Sequence, residues 1–243
     1  MVDLHSHVLF DIDDGAETIE DSLDILRRAQ RAGVRKMAAT PHFTIGEDDV
    51  DDFLERRNAR LEALKTAAKE AGIKIELKAG AEVYITDDIF DEDSLSCLTI
   101  GESRVLLSEF KYHGLRPEKF MSYVDEILER GLSVLVAHPE RYSYLRKNPM
   151  LINSLISRGV LLQVNATSLF HDDDEGDFAR MLVECGAAAV IGSDVHTIRS
   201  GRLRALEELS GMKEPAIDQK TRSTPDLIFE NLDEIYEFEA NFI

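Results

Sequence analysis

Short apolar runs alternate with amphipathic stretches from one end of the chain to the other. Seven runs, Val2–Leu4, Val34–Ala39, Ile73–Ala79, Arg104–Ser108, Ser133–Ala137, Val160–Val164 and Ala187–Ile191, are mostly apolar, as strands buried on both faces should be. Between them Ile19–Ala32, Asp49–Ala71, Glu118–Glu129, Leu151–Ser157 and Asp177–Glu184 carry apolar residues at helical spacing, with Ile19, Leu23 and Leu26 forming one stripe. Gly33, Gly72, Gly131, Gly159 and Gly186 each follow a helix and precede a strand, where a helix is expected to stop. This alternation predicts an α/β fold of βα units around a largely parallel sheet. Seven units predict a barrel of TIM-barrel type, or a sheet nearly closed into one, with the active site at the C-terminal ends of the strands.

The remaining segments are connections. Acidic stretches at Glu47–Asp52, Asp87–Asp93 and Asp172–Asp177 read as solvated loops, because none has the ligand spacing and internal glycine of an EF-hand. From Lys213 to Thr224 the pattern lapses into a polar segment, and the apolar tail Leu227–Ile243 is expected to pack back on the body. With no internal repeat and no low-complexity linker, a single domain over residues 1–243 is expected.

Charge narrows the partners. The chain has 28 Lys+Arg against 47 Asp+Glu, a formal net charge of −19, which disfavours a basic nucleic-acid-binding surface. No apolar stretch approaches the roughly 20 residues needed to span a bilayer, and no basic-then-apolar leader precedes Asp3-Leu4-His5, so a cytoplasmic protein without membrane insertion is expected. Cys97 and Cys185 have no C-x-x-C partner and are expected to be buried, reduced thiols.

The C-terminal edge of each predicted strand carries unusual chemistry. After the first come His5, His7 and Asp14; after the second, His42; after the third, Glu82; at the fourth, Glu109, with Glu102 nearby; after the fifth, His138; after the seventh, Asp194 and His196. The sixth offers only Asn165. Five of the 7 histidines and four carboxylates are therefore expected on one rim. In an extended strand, side chains at i and i+2 share a face, so His5 with His7, and Asp194 with His196, can project as pairs. One buried histidine alone is more often a hydrogen-bonded core residue than a ligand. Repeated placement at strand ends reverses that weighting, since each unpartnered buried polar group costs on the order of 2–7 kcal/mol. Imidazole plus carboxylate suits zinc, manganese or iron, and so many ligands suit two or three ions. His113 and His171 fall in loops outside this pattern.

Seven phrases carry a family resemblance: Asp3-Leu4-His5-Ser6-His7, Asp13-Asp14-Gly15-Ala16, Ala39-Thr40-Pro41-His42, Gly80-Ala81-Glu82-Val83, His138-Pro139-Glu140-Arg141-Tyr142, Leu162-Gln163-Val164-Asn165-Ala166 and Ser193-Asp194-Val195-His196. Through them the chain resembles the polymerase-and-histidinol-phosphatase superfamily, and within it the bacterial protein-tyrosine phosphatases of capsule and exopolysaccharide assembly. The resemblance implies a distorted seven-stranded barrel and a three-metal centre. Residue by residue it implies one ion at His5, His7, Glu82 and Asp194, a second at Glu82, Glu109 and His138, and a third at Asp14, His42 and His196. It implies manganese as the usual ion, and a membrane-associated bacterial tyrosine kinase as the phosphotyrosine-bearing partner. It also implies catalytic arginines at Arg141 and Arg202, with Arg199 a nearby rival for the second.

Phosphate monoesters hydrolyse so slowly that acceleration can approach ~10²¹-fold, and clustered metals can neutralise the dianion and activate water. Arginine suits the phosphate because its planar fork donates two charge-assisted bonds. Side-chain nucleophiles are disfavoured: neither cysteine begins a C-x₅-R loop, and Ser193 lacks the flanking glycines of a nucleophile elbow. A metal-dependent protein-tyrosine phosphatase is therefore expected. The rivals are a histidinol-phosphatase or other small-molecule phosphatase, a phosphodiesterase or 3′-exonuclease, and a phosphopeptide-binding module without turnover.

Overall fold

Strands and helices alternate where the hydrophobic pattern places them. A computed structural model describes residues 1–199, 201–211 and 219–232. Its strands are β1 (Val2–Asp3), β2 (Lys36–Ala39), β3 (His42–Thr44), β4 (Glu76–Ala79), β5 (Glu82–Tyr84), β6 (Val105–Glu109), β7 (Ser133–Ala137), β8 (Leu161–Asn165) and β9 (Val190–Gly192). Its helices are α1 (Ile19–Arg31), α2 (Val50–Glu70), α3 (Pro117–Glu129), α4 (Ser143–Lys147), α5 (Met150–Ile156), α6 (Asp174–Glu184), α7 (Arg202–Gly211) and α8 (Gln219–Glu230). No helix among the described residues is long and apolar enough to cross a membrane.

Among the described residues all strand pairing is parallel, but it forms two sheets rather than the one seven-stranded barrel, or sheet nearly closed into one, expected from the sequence. A three-stranded sheet runs β1-β2-β4 and a six-stranded sheet runs β3-β5-β6-β7-β8-β9. The break has a local cause. Pro41 has no N–H to give a ladder, so the second predicted strand stops at Ala39 and restarts at His42. Beside it the third stops at Ala79 and restarts at Glu82, with Gly80 N–H on the Ala39 carbonyl (2.9 Å) and Glu82 N–H on that of Pro41 (3.0 Å). Both restarts begin on a predicted ligand. At the opposite margin the first and last strand ends meet through one parallel bridge, Ser6 to Val195. There Asp194 N–H donates to the His5 carbonyl and His7 N–H to that of Val195, each at 2.8 Å. Asp3, buried, accepts from Ser193 N–H at 3.0 Å and locks the seam.

The helices cover the sheets with apolar stripes. Ile25, Leu26 and Ala29 of α1 pack with Leu61 and Leu64 of α2 and Leu203 and Leu206 of α7. Phe120, Val124 and Ile127 of α3 and Ala179 and Leu182 of α6 pack against Val134, Val136 and Leu162. Val105, Leu107, Leu135, Leu161 and Val190 form a third cluster with Ile228 and Phe229 of α8.

Three expectations need correction. The acidic stretches are not simply loops: Asp49 and Asp173 accept from backbone N–H groups as N-caps of α2 and α6, and Asp51, Asp52, Asp174 and Glu175 lie in first turns, where negative charge offsets the helix dipole. Residues 219–224 of the expected polar lapse belong to α8, which carries Pro225 inside it and hides its apolar stripe until Ile228 and Phe229. Cys97 and Cys185 are free but exposed, Cys97 in the 3-10 turn Leu95–Leu98 and Cys185 at the C-cap of α6. The predicted tail beyond residue 232, and the 213–218 part of the lapse, lie outside the described residues.

Candidate metal centre

The nine predicted ligands meet in one place. Glu82, at the first residue of β5, is the hub: its Oε2 lies 3.1 Å from His5 Nε2, 3.2 Å from His7 Nε2 and 3.3 Å from His42 Nδ1. Its Oε1 lies 2.8 Å from His138 Nε2. Asp194 Oδ1 faces His5 and His7 at 3.5 Å each and His196 Nδ1 at 3.4 Å. Asp14, on the loop after β1, reaches His196 Nε2 at 3.3 Å and His42 Nε2 at 3.6 Å. Glu109 is 3.7 Å from His138 and 3.9 Å from His42, whereas Glu102 is an exposed turn residue. His113 and His171 are exposed and outside the cluster.

Donor atoms within 4.8 Å of one another fall into four groups: His7, Asp14, His42 and His196; His5, Glu82 and His138; His5, His7 and Asp194; and His42, Glu82 and Glu109. The mixture fits divalent cations. His5 Nε2 and His7 Nε2 point at each other across 3.3 Å while both face Glu82, a crowding of ring nitrogens that a shared cation would bind together. Backbone strain gathers at the same rim: His138 (φ 32°), Asp194 (φ 52°) and Asp11 (φ 54°) adopt left-handed backbone that non-glycine residues rarely hold.

Burial and neighbouring charge set the protonation of the cluster. Burial pulls the His7 imidazole down, but hydrogen bonds to Asp13 and Glu82 outweigh it and carry it up to about 10. Burial, then repulsion from His7, pushes His196 down to about 4. Burial opposes ionisation of Glu82 and Asp194, yet facing histidines hold both below the usual carboxylate range. Burial and the Glu82 charge raise Glu109 to about 7.

Two arginines close the cluster. Arg141 Nη2 lies 3.3 Å from Asp194 Oδ2 and its guanidinium is hydrogen-bonded by Tyr112. Arg202 Nη1 lies 2.5 Å from Asp194 Oδ1, 3.0 Å from His196 Nδ1, and also donates to the Asp194 carbonyl. Arg199 is exposed, so of the two candidates it is Arg202 that reaches the cluster.

Several residues went unassigned in the sequence. Asp13 Oδ2 accepts from His7 Nδ1 (2.8 Å) and from His42 N–H (3.0 Å), and its Oδ1 from Gly15 N–H (2.9 Å). It stood beside Asp14 in the quoted phrase. Tyr112 donates its hydroxyl to Glu109, with no sequence signal beyond its distance of three residues. Gln163 bonds His5 Nδ1 at 2.7 Å; its signal was the i, i+2 spacing from Asn165.

Known proteins resemble this chain. The family described as "Capsular polysaccharide synthesis, CpsB/CapC" matches residues 1–235. The chain is 30% identical over 214 residues to tyrosine-protein phosphatase CpsB of Streptococcus pneumoniae, covering 82% of this chain and 84% of that protein. It is 28% identical over 213 residues to tyrosine-protein phosphatase YwqE of Bacillus subtilis, covering 86% and 82%. It also superposes, with a TM-score of 0.80, 24% identity and 95% of both chains covered, on a chain from the crystal structures of YwqE and CpsB, described there as metal-dependent tyrosine phosphatases. That last likeness is one of fold.

Proposed function

Because the chain belongs to the capsular polysaccharide synthesis CpsB/CapC family, we propose that it is a metal-dependent phosphomonoesterase that hydrolyses protein phosphotyrosine. The observation that carries this reading is the convergence of five imidazoles and four carboxylates on Glu82 and Asp194, with two guanidinium groups at Asp194. His5, His7, Glu82 and Asp194 would hold one ion, Glu82, Glu109 and His138 a second, and Asp14, His42 and His196 a third, with manganese the activating metal. The four geometric groups keep His5, His7 and Asp194 together and Asp14, His42 and His196 together with His7, but they set His138 with His5 and Glu82, and Glu109 with Glu82 and His42.

Bound ions would supply charge neutralisation for the phosphoryl oxygens and a nucleophilic water at neutral pH. The chain's own residues supply the rest. Glu82 and Asp194 remain ionised despite burial and orient the imidazoles around them. Arg141 and Arg202, each anchored on one oxygen of Asp194, keep further N–H groups to donate to phosphate oxygens. A phenolate leaving group, with pKa near 10, departs without a strong general acid. No thiol is needed: Cys97 and Cys185 are exposed, the Cys185 thiol faces Met181 and Leu182, and neither belongs to the cluster.

The same reading takes residues 1–243 as one domain and the two sheets as a distorted (β/α)7 barrel joined at the Ser6–Val195 bridge. It places the protein in the cytoplasm, acting on a membrane-associated tyrosine kinase of polysaccharide synthesis. The test is phosphate release from a phosphotyrosine peptide and from histidinol phosphate, by chelated protein and after Mn²⁺ addition. Metal-dependent release with preference for the peptide is expected; preference for histidinol phosphate would move the protein to the small-molecule phosphatases.

A further inference from the structure

β8 sends no imidazole or carboxylate into the cluster, although it lies between β7 and β9, whose ends carry His138 and Asp194. It presents two fully buried amides instead, Gln163 and Asn165, on one face at i and i+2. Gln163 Oε1 accepts from His5 Nδ1 at 2.7 Å and from His138 N–H at 3.4 Å. Gln163 Nε2 donates to Asn165 Oδ1 at 2.8 Å, and Asn165 Nδ2 donates to Asp194 Oδ2 at 2.7 Å. One unbroken chain of hydrogen bonds therefore joins His5 to Asp194 behind the cluster.

The direction of this chain is set at both ends. An ionised carboxylate only accepts, so Asn165 must turn its NH₂ to Asp194 and its oxygen to Gln163. A backbone N–H only donates, so the Gln163 atom facing His138 must be the oxygen. Reversing either amide would bring like groups together in a buried site and leave those bonds unmade. It follows that His5 carries its proton on Nδ1. Its Nε2 lone pair then faces Glu82 and Asp194 Oδ1. Asp194 Oδ2 is taken by Asn165, with Arg141 at 3.3 Å, which leaves Oδ1 turned to the histidines and to Arg202 (2.5 Å). The surroundings are shaped around the amide: a Cβ at Gly192 would lie 2.9 Å from Gln163 Nε2 and 3.1 Å from His5 Cβ.

The geometry points to Gln163 and Asn165 as positioning residues of the metal centre, Gln163 holding His5 in the tautomer that binds a cation through Nε2 and Asn165 holding Asp194 Oδ2 so that Oδ1 turns to the histidines. This rests on the metal-centre reading above. Partners that hold a ligand's far side are generally worth about 10- to 100-fold in metal affinity.

The test uses Cd²⁺ as a diamagnetic probe on the full chain, with calorimetric titration and ¹⁵N-histidine NMR of the ¹¹³Cd-loaded protein. In the wild type His5 should be protonated at Nδ1 and coupled to ¹¹³Cd through Nε2. Gln163→Met preserves length but cannot accept, and should weaken Cd²⁺ binding about 10- to 100-fold with an unchanged circular dichroism spectrum. Gln163→Glu keeps a side-chain oxygen to accept from His5 Nδ1 and from His138 N–H, and should restore binding to within about threefold. Coordination of His5 through Nδ1, or a folded Gln163→Met that binds Cd²⁺ as the wild type does, would overturn the inference. If Gln163→Met does not fold, the wild-type spectrum and Gln163→Glu decide, and a tenfold loss in the latter counts against it. A wild type that binds no Cd²⁺ removes the metal centre itself, a different failure from unaffected variants.

Discussion

Gly15 is where a single methyl group should undo the centre. A Cβ there would lie 2.2 Å from the His7 carbonyl oxygen, 2.6 Å from His7 Cβ and 2.9 Å from Asp13 Oδ1. Ordinary contact begins near 3.4 Å, so the gap must open by 3.4 − 2.2, about 1.2 Å. The first two atoms sit on or beside the His7 backbone, and no side-chain rotation relieves them. The loop must lift, stretching the bond from Ala16 N–H to the His7 carbonyl (3.2 Å) and drawing Asp13 away from His7 Nδ1 (2.8 Å). Overpacking costs about 1–3 kcal/mol, and a hydrogen bond to a charged group about 1.5–3. The sum is roughly 2–6 kcal/mol, a fall in Tm on the order of 5–20 °C for a chain of this size. Gly15→Ala should therefore melt earlier in thermal denaturation with chelator present, and take up less Mn²⁺ by elemental analysis after gel filtration. A variant that melts within a degree of the wild type and keeps its metal would refute the packing argument.

Three further outcomes follow from the same geometry. Glu82→Gln keeps shape but removes the charge that faces His5, His7, His42 and His138, so bound metal should drop by at least one ion per chain; unchanged stoichiometry would rule out a bridging Glu82. Arg141→Lys and Arg202→Lys lose the planar fork but keep a cation for Asp194, so each should lower kcat on phosphotyrosine peptide about 10²-fold while leaving metal content intact. In chelated protein His7 is raised to about 10 chiefly because hydrogen bonds to Asp13 and Glu82 overcome its burial. A raised imidazole stabilises the fold fully below its unfolded value near 6.5 and loses that contribution as pH climbs through about 10. Thermal melts of chelated protein should thus decline from pH 7 to 10, and saturating metal, by replacing the proton, should flatten the decline; a rise over that range would contradict the assignment.

Legibility of the sequence varied with the physical source of each feature. The five glycines that end helices all adopt positive φ, and Ser133–Ala137 is a strand over the predicted span, because periodicity and αL stops are local properties. The site was legible for a similar reason: strand ends place side chains by register, and the nine predicted ligands arrived together. What escaped was non-local. Pro41 marks the break locally, but nothing beside it or Gly80 announces that the two strands restart at His42 and Glu82 and transfer to another sheet. The acidic runs looked like solvated loops since helix capping by Asp49 and Asp173 leaves the same composition. Asp13 and Gln163 are ordinary polar residues until a histidine from elsewhere is seen to lean on them.

The junction at Ser6 and Val195 bears on the order in which the protein becomes competent during synthesis. The bond from Ser193 N–H to Asp3 spans 190 positions, so His5 and His7 wait on the ribosome through that length of chain before their last neighbours emerge. Until then a nascent polypeptide carries exposed imidazoles and acids with no completed cage, able to capture stray ions only loosely. Enzymatic competence should consequently arrive only once Asp194 has emerged, and a product truncated before Asp194 should possess none of it.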